Sequence, residues 1–303
     1  MAVRAFLQEK VDVAIIEVGI GGEYDPTNVV TNVPVAGITS LGFDHTSVLG
    51  NTIESISWNK AGIMKKGSQV FTVCQPESAY NVLYERSIER QCTLTVVEDG
   101  CHIPIIQKYP SALQININLA IKMAEAWMSS STKHHNNNCR MDLDILKFSI
   151  ENCVWPGRYD IRQEKNIRYY IDGAHTLESI DLCLKWYLND VKNEKIGKAL
   201  LFNLTGGRSC DEFFKILSKG KFETVIFVPN VAKSSQDQAG AQLVNCYKYK
   251  EKWMSMNCAT ENLEIFSCVQ DAVDYLNRSG RHNLLITGSL YLVGAVISIL
   301  DSR

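Results

Sequence analysis

Glu17 stands inside an apolar run and is followed by Gly19, Gly21 and Gly22, then Asp25 and Asn28. An ionised carboxylate in an apolar strand is costly unless it is paired or binds a metal. At the carboxyl end of a parallel strand it lies where open α/β sheets take ligands. The glycines permit tight turns and close backbone approach, although they fit neither G-x-x-x-x-G-K-[ST] nor G-x-G-x-x-G. The alternative is an ordinary glycine turn with a solvated Glu17. His45, in Leu41-Gly42-Phe43-Asp44-His45, follows a second apolar run. A neutral imidazole there can ligate a metal, with Asp44 as a second ligand or as its partner; a plain helix-entry loop reads the same way. Lys60, in Trp58-Asn59-Lys60-Ala61-Gly62, reads as a solvated helix charge unless its context promotes it.

The second half holds its own constellation. Trp155-Pro156-Gly157-Arg158 is a turn that presents an arginine fork suited to phosphate or carboxylate, or simply an exposed charge. Tyr170-Ile171-Asp172-Gly173-Ala174-His175 reads as strand, sharp turn and helix start. Asp172 at that strand end can accept ribose hydroxyls or act as a turn former. Leu204-Thr205-Gly206-Gly207-Arg208 and Thr287-Gly288-Ser289 are strand-turn positions whose amides and hydroxyls either meet an anion or cap a helix. His134, His135 and Cys139 sit among asparagines and read as a polar surface loop rather than a metal site.

Positioning such groups requires regular elements. Near-continuous apolar runs predict buried strands at Val11–Val18 and Val35–Leu41. A helix is expected from Asn51, capped by that residue with Glu54 as reciprocal acid, and stopped by Gly67. Strands at Gln69–Cys74 and Thr93–Val97 bracket a helix at Ser78–Gln91, and a further helix spans Leu113–Met128. After the polar patch Ser129–Arg140 and a short helix at Leu143–Ile150, a boundary is placed at Trp155. Beyond it, strands at Tyr169–Ile171, Ala199–Leu204, Thr224–Val228, Ile265–Ser267 and Leu284–Thr287 alternate with helices, Leu177–Leu188, Asp211–Leu217, Gln236–Trp253, Val269–Leu276 and Leu290–Leu300. That alternation predicts an α/β chain with parallel sheets and right-handed crossovers.

Composition bounds the function. With 31 Lys plus Arg against 33 Asp plus Glu, the formal charge is −2, which removes the electrostatic case for a dedicated nucleic-acid binder but leaves room for a local anion site. No apolar stretch reaches the roughly 18 residues of a membrane span, and Met1–Lys10 lacks a signal-peptide core. Ten cysteines without a CxxC pair read as scattered free thiols in a reduced compartment. A length of 303 residues suggests two domains.

Taken in order, the motifs resemble the folylpolyglutamate synthase family of the Mur-ligase superfamily. They are EVGIGGEYDPTN (Glu17–Asn28), SLGFDHTSVLG (Ser40–Gly50), WNKAGIMKKG (Trp58–Gly67), N-x-x-L-A (Asn116–Ala120), WPGR (Trp155–Arg158), DGAHT (Asp172–Thr176) and TGSLYLVG (Thr287–Gly294). The resemblance runs nearly end to end and is more eukaryotic than bacterial. It implies residues 1–154 as the rear of an ATP- and magnesium-binding central domain with a parallel sheet, and 155–303 as a Rossmann-like glutamate-ligase domain.

The implied reaction is ATP-dependent addition of L-glutamate to the γ-carboxylate of a folate through an acyl phosphate. The resemblance implies Glu17 and His45 as magnesium holders, and Lys60 as the lysine that some relatives carbamylate. It further implies Arg158, Asp172 and Asn116 as nucleotide contacts and His175 as a residue of the reaction centre. Implied cofactors are ATP and Mg2+, with a monovalent cation such as K+. Implied partners are tetrahydrofolate polyglutamates and L-glutamate, with no nucleic acid or integral membrane association, in a monomer of the cytoplasm or the mitochondrion.

The sequence departs from the family in two places. Leu113 stands where Q-x-x-N members have glutamine, with Gln114 beside it. Nothing upstream of Val11 resembles the family's G-T-N-G-K-G-S phosphate loop, so the expectation is an incomplete first domain with impaired or absent turnover. Other expectations are a non-catalytic isoform or fragment, and a dihydrofolate synthase or another Mur-type ligase.

Overall fold

The computed structural model describes residues 2–98, 103–130, 142–205, 209–233, 240–256 and 260–302. The chain divides into two compact units, Met1–Ile150 and Glu151–Arg303. The His134–His135–Cys139 patch and Gly206–Arg208 lie outside the described residues.

The first unit runs α1 (Ala2–Glu9), β1 (Val35–Ile38), α2 (Thr46–Leu49), α3 (Ile53–Lys60), β2 (Gln69–Val73), α4 (Glu77–Arg90), β3 (Thr93–Val97), α5 (Ser111–Ser130) and α6 (Leu143–Asn152). Its three strands form a parallel sheet in the order β1-β2-β3, with Val35 opposite Gln69 and Gln69 opposite Thr93. Alternate residues point to opposite faces. Ala36, Ile38 and Val70 meet Ala61, Met64 and Leu83 on one side. Phe71, Val73 and Val97 meet Leu119 and Ala126 of α5 on the other. Both faces are covered, as a parallel sheet requires.

Two expectations fail in this unit. Residues 11–18 form no strand, and Val11, Val13, Ile15 and Ile16 are exposed, Ile15 at 89%. An apolar run becomes a strand only when a neighbour supplies its backbone hydrogen bonds, and among the described residues β1 is bonded only to β2. Helix α3 is capped by Thr52 rather than Asn51. The Thr52 hydroxyl accepts from the Ser55 N–H at 3.2 Å while Ser55 reaches back to the Thr52 N–H, so Ser55 takes the role expected of Glu54.

The second unit runs β4 (Asp160–Glu164), β5 (Ile167–Ile171), α7 (Leu177–Val191), β6 (Gly197–Phe202), α8 (Asp211–Leu217), β7 (Thr224–Phe227), α9 (Gly240–Ser255), β8 (Asn262–Ile265), α10 (Val269–Ser279), β9 (His282–Thr287) and α11 (Leu290–Leu300). The sheet order is β4-β5-β9-β6-β7-β8. It is parallel except at β4, which pairs antiparallel with β5 through a hairpin whose Lys165 adopts φ 49°. Strand β4 has no counterpart among the sequence expectations, because DIRQE alternates without a strong apolar face. Strand β8 ends at Ile265, where the expected strand began: the ladder to β7 takes Asn262–Ile265. Two apolar layers sandwich this sheet. One centres on Tyr187, Phe202, Phe214, Phe227 and Trp253, the other on Ile171, Leu201, Ile226, Leu284, Ile286 and Val296.

The insertion of β9 between β5 and β6 reverses the strand order there. At such a switch point the loops leave the sheet in opposite directions and open a crevice at the carboxyl ends. Among the described residues, no helix is long and apolar enough to cross a membrane.

Candidate functional site

In the first unit, the glycine segment is organised by Asp25. Its Oδ2 accepts the Gly19 and Ile20 N–H groups, each at 3.0 Å; its Oδ1 accepts the Thr27 N–H at 2.9 Å and the Thr27 hydroxyl at 2.6 Å. Those donors, the Thr27 hydroxyl foremost, hold the carboxyl below its usual range although burial opposes them. Asn28 closes the turn by donating to the Glu23 carbonyl at 3.0 Å. The Glu23 N–H bonds the Asn59 carbonyl at 2.8 Å, which draws the loop against the end of α3. Glycine is required for that approach: a Cβ on Gly22 would stand 2.8 Å from the Asn59 oxygen.

Glu23 anchors the same loop to α4. Its carboxylate accepts from Arg86 at 2.5 Å and Arg90 at 2.8 Å, and Arg86 lies over the Trp58 ring at 4.6 Å. Sequence reasoning missed this anchor. Arg86 and Arg90 share a helix face at i,i+4 spacing, but only the fold brings Glu23 to them.

Around that frame, the assigned residues are placed unevenly. Glu17 is exposed on the unpaired 11–18 segment rather than held at a strand end, which corrects the expected setting of its carboxylate. His45 sits in the left-handed region at φ 50° and precedes α2; its N–H donates to Asp44 Oδ1 at 2.8 Å and its Nε2 stands 3.7 Å from Asp44 Oδ2. Lys60 ends α3, where burial lowers its pKa and the Asp44 carboxylate opposes the shift. The structure therefore brings Asp44, His45 and Lys60 into one electrostatic group. Asn116 is exposed on α5.

In the second unit, Asp172 is the centre. It is 6% exposed at the carboxyl end of β5. Its Oδ2 accepts the Tyr159 N–H and its Oδ1 the Ala174 N–H, both at 2.9 Å. Burial raises its pKa, against these two hydrogen bonds and the nearby Arg158 and His175. Arg158 is exposed in the turn after Gly157, whose φ is 76° and whose missing Cβ admits Val293. The Gly157 carbonyl accepts the Gly173 N–H at 3.0 Å, fastening the Arg158 turn to the Asp172 turn. Tyr159 follows at φ 48°, with burial pushing its hydroxyl up to about 12.

His175 Nδ1 lies 2.7 Å from the Gly173 carbonyl. A carbonyl only accepts, so Nδ1 carries the hydrogen and Nε2 the lone pair of the neutral ring. Thr176 caps α7 with Ser179, and Ser289 caps α11 by accepting the Tyr291 N–H at 3.1 Å. Gly288, at φ 103°, donates its N–H to the Ala174 carbonyl at 2.9 Å, so the 287–289 turn rests on the 172–176 turn. Arg158, Asp172, His175 and Ser289 are thus gathered at one edge of the switch-point crevice. This arrangement can present a cation and helix N-termini to an anion, with a carboxylate and an imidazole beside them.

Residues 157–299 match the family model "Dihydrofolate synthetase, C-terminal domain". Across the whole chain, the folylpolyglutamate synthase of Candida albicans is 33% identical, over 100% of this chain and 67% of that protein. The chain belongs to the folylpolyglutamate synthase family. The mitochondrial folylpolyglutamate synthase of Cricetulus griseus is 29% identical over 99% of the chain and 68% of its own length. The chain therefore spans about two thirds of the length of these family members. The fold agrees: the solved structure "E.coli FolC in complex with DHPP and ADP" superposes with a TM-score of 0.75 at 22% identity, covering 100% of this chain and 69% of that one. The family is one of ATP-dependent amide ligases, and its α/β architecture, a parallel sheet followed by a mixed one, is the architecture found here.

Proposed function

We propose that the chain acts as a tetrahydrofolate:L-glutamate γ-ligase. The observation that carries this reading is the end-to-end match to a folylpolyglutamate synthase at 33% identity. ATP phosphorylates the γ-carboxylate of the folate's terminal glutamate, and the amine of the incoming L-glutamate displaces phosphate. In this reading Arg158 neutralises phosphate charge and Asp172 accepts hydroxyl hydrogen bonds from the nucleotide, as Asn116 does from its exposed position on α5. His175, fastened through its Nδ1 contact with the Gly173 carbonyl, stands at the reaction centre in this reading.

Magnesium commonly takes one or two protein carboxylates and completes its shell with phosphate and water. The lack of a three-ligand cluster among the described residues is compatible with that donor set. Glu17 and the Asp44–His45 pair are the groups that would hold it, and the ion would supply charge neutralisation at the phosphates. A lysine of lowered pKa holds more neutral amine, the form that carbon dioxide carbamylates, and Lys60 fits that role. A monovalent cation such as K+ is part of the same reading. So are a monomeric state and a location in cytosol or mitochondrion, the latter supported by the name of the Cricetulus griseus relative.

Turnover is slow in this reading, because Glu17 rides on a segment without a strand partner. The experiment is incorporation of labelled L-glutamate in the presence of ATP and tetrahydrofolate. A second reading, dihydrofolate synthase, is favoured by the family model over residues 157–299. Dihydropteroate as the sole acceptor separates the two: preferential use of it would replace the first reading with the second.

A further inference from the structure

The amino edge of the second unit's sheet gathers positive charge. Strands β5, β9, β6 and β7 are parallel neighbours, so the turns that lead into them meet at one edge. Ile167, His282 and Gly197 stand level with one another, and Thr224 pairs with Ala199, two residues on. Backbone bonds tie the turns together: the His282 N–H donates to the Asn166 carbonyl at 3.0 Å, and the Glu223 N–H to the Lys198 carbonyl at 2.9 Å. The turns bring Lys165 before β5, Arg281 before β9, Lys192 and Lys195 before β6, and Lys219 and Lys221 before β7 to this edge. All of these side chains are exposed.

These cations are in excess. Among the described residues, the ion pairs of this unit engage Arg162, Arg168, Lys185, Lys215 and Lys252 instead. Glu194, in the turn before β6, is already engaged by Arg168. The exposed acids in the turns of this edge are Glu223 before β7 and Glu261 before β8, and they are outnumbered. The whole chain has a formal charge of −2, so the edge is a local positive field on a chain that is otherwise slightly acidic. The Arg158–Asp172–His175 group lies at the opposite, carboxyl edge.

Neighbouring strands stand about 4.8 Å apart, so four of them set a row of cations roughly 15 Å long. An extended peptide turns alternate side chains to one side about every 7 Å, so three alternate carboxylates match that row. All of these cations but Arg281 are lysines, compact point charges without the planar fork that favours bidentate phosphate recognition. We propose that this edge docks an acidic, extended segment of a partner protein, with alternate Asp or Glu side chains laid across the starts of β5, β9, β6 and β7. The proposal is independent of the ligase reading, because that reading assigns these residues no role and the test measures no turnover.

Fluorescence polarisation of a labelled ten-residue peptide of alternating glutamate and serine, titrated with the full chain at low ionic strength, tests it. The peptide should bind saturably and its glutamine–serine counterpart should not. Added salt should weaken binding, since charges are screened beyond about 8 Å at physiological ionic strength. The triple variant Lys195→Glu, Lys221→Glu, Arg281→Glu, checked for unchanged circular dichroism and melting temperature, should bind at least about tenfold more weakly, and Lys195→Glu alone about threefold. Two controls should keep the affinity within about twofold: Lys66→Glu, Lys122→Glu, Lys147→Glu, which reverses as much charge on the first unit, and Arg158→Gln at the carboxyl edge. Absence of saturable binding, equal binding of the glutamine–serine peptide, unchanged affinity in the edge variants, or an equal loss in either control would each overturn the proposal. Tighter binding of a ten-residue oligothymidylate would overturn it in favour of a nucleic-acid surface. Retention on phosphatidylserine vesicles that the edge variant abolishes would overturn it in favour of a membrane surface.

Discussion

Asp172 and Asp25 are both buried carboxyls, and their surroundings drive them in opposite directions. Asp25 gathers four hydrogen bonds and is held below its ordinary value. Its contribution to stability is present above the unfolded pKa and is lost as pH falls through the lower folded one. Asp25→Ala should cost about 1–3 kcal/mol in denaturant unfolding, because backbone donors lose their acceptor, and should flatten the acid side of the stability profile. Asp172 is raised by burial, so its folded form binds a proton more tightly than the unfolded chain does. Its contribution is therefore largest at low pH and declines as pH rises from the unfolded value through the raised one. Asp172→Asn should remove that contribution to the slope in the same titration, while weakening nucleotide binding measured by calorimetry. Lys60 is lowered, so charging it opposes folding at neutral pH. Lys60→Gln should leave the melting temperature equal or higher and reduce ligation, a combination that scanning calorimetry and the glutamate assay together would reveal.

The turns that carry these residues depend on backbone geometry at a few positions. Gly157 combines φ 76° with Val293 packed where a Cβ would stand. Gly157→Ala should destabilise the second unit by about 1–3 kcal/mol and displace Arg158, detectable as a lower melting temperature with weaker nucleotide binding. Much of this was legible in the sequence. The boundaries of β3, α8 and α11 and the strand–turn–helix at Asp172 follow from apolar runs bounded by turn residues. Strand β4 was not legible, since its pairing depends on the β5 edge rather than on its own pattern. Nor was the Glu23–Arg86–Arg90 anchor, whose partners lie more than sixty residues apart. The 11–18 run shows the opposite failure. Its strand pattern is strong, but a pattern supplies no hydrogen-bond partner, so four apolar side chains remain exposed. Ile15→Lys should improve solubility with little change in melting temperature, because that side chain is buried against nothing.

At the scale of the whole molecule, the two units differ in sheet size and in the extent of their apolar layers. The second has a six-stranded sheet covered on both faces by large apolar layers. Among the described residues, the first has three strands, smaller apolar clusters and an exposed Glu17. A fragment of residues 151–303 should therefore fold cooperatively alone, measured as a single thermal transition with native near-ultraviolet dichroism. The central claim is ATP-dependent ligation of L-glutamate. Its most direct measurement is incorporation of labelled L-glutamate into tetrahydrofolate by the intact chain, with and without ATP. The account predicts slow, ATP-dependent incorporation that disappears in His175→Ala. Product formed without ATP, or no ATP-dependent product above the His175→Ala background, would contradict it.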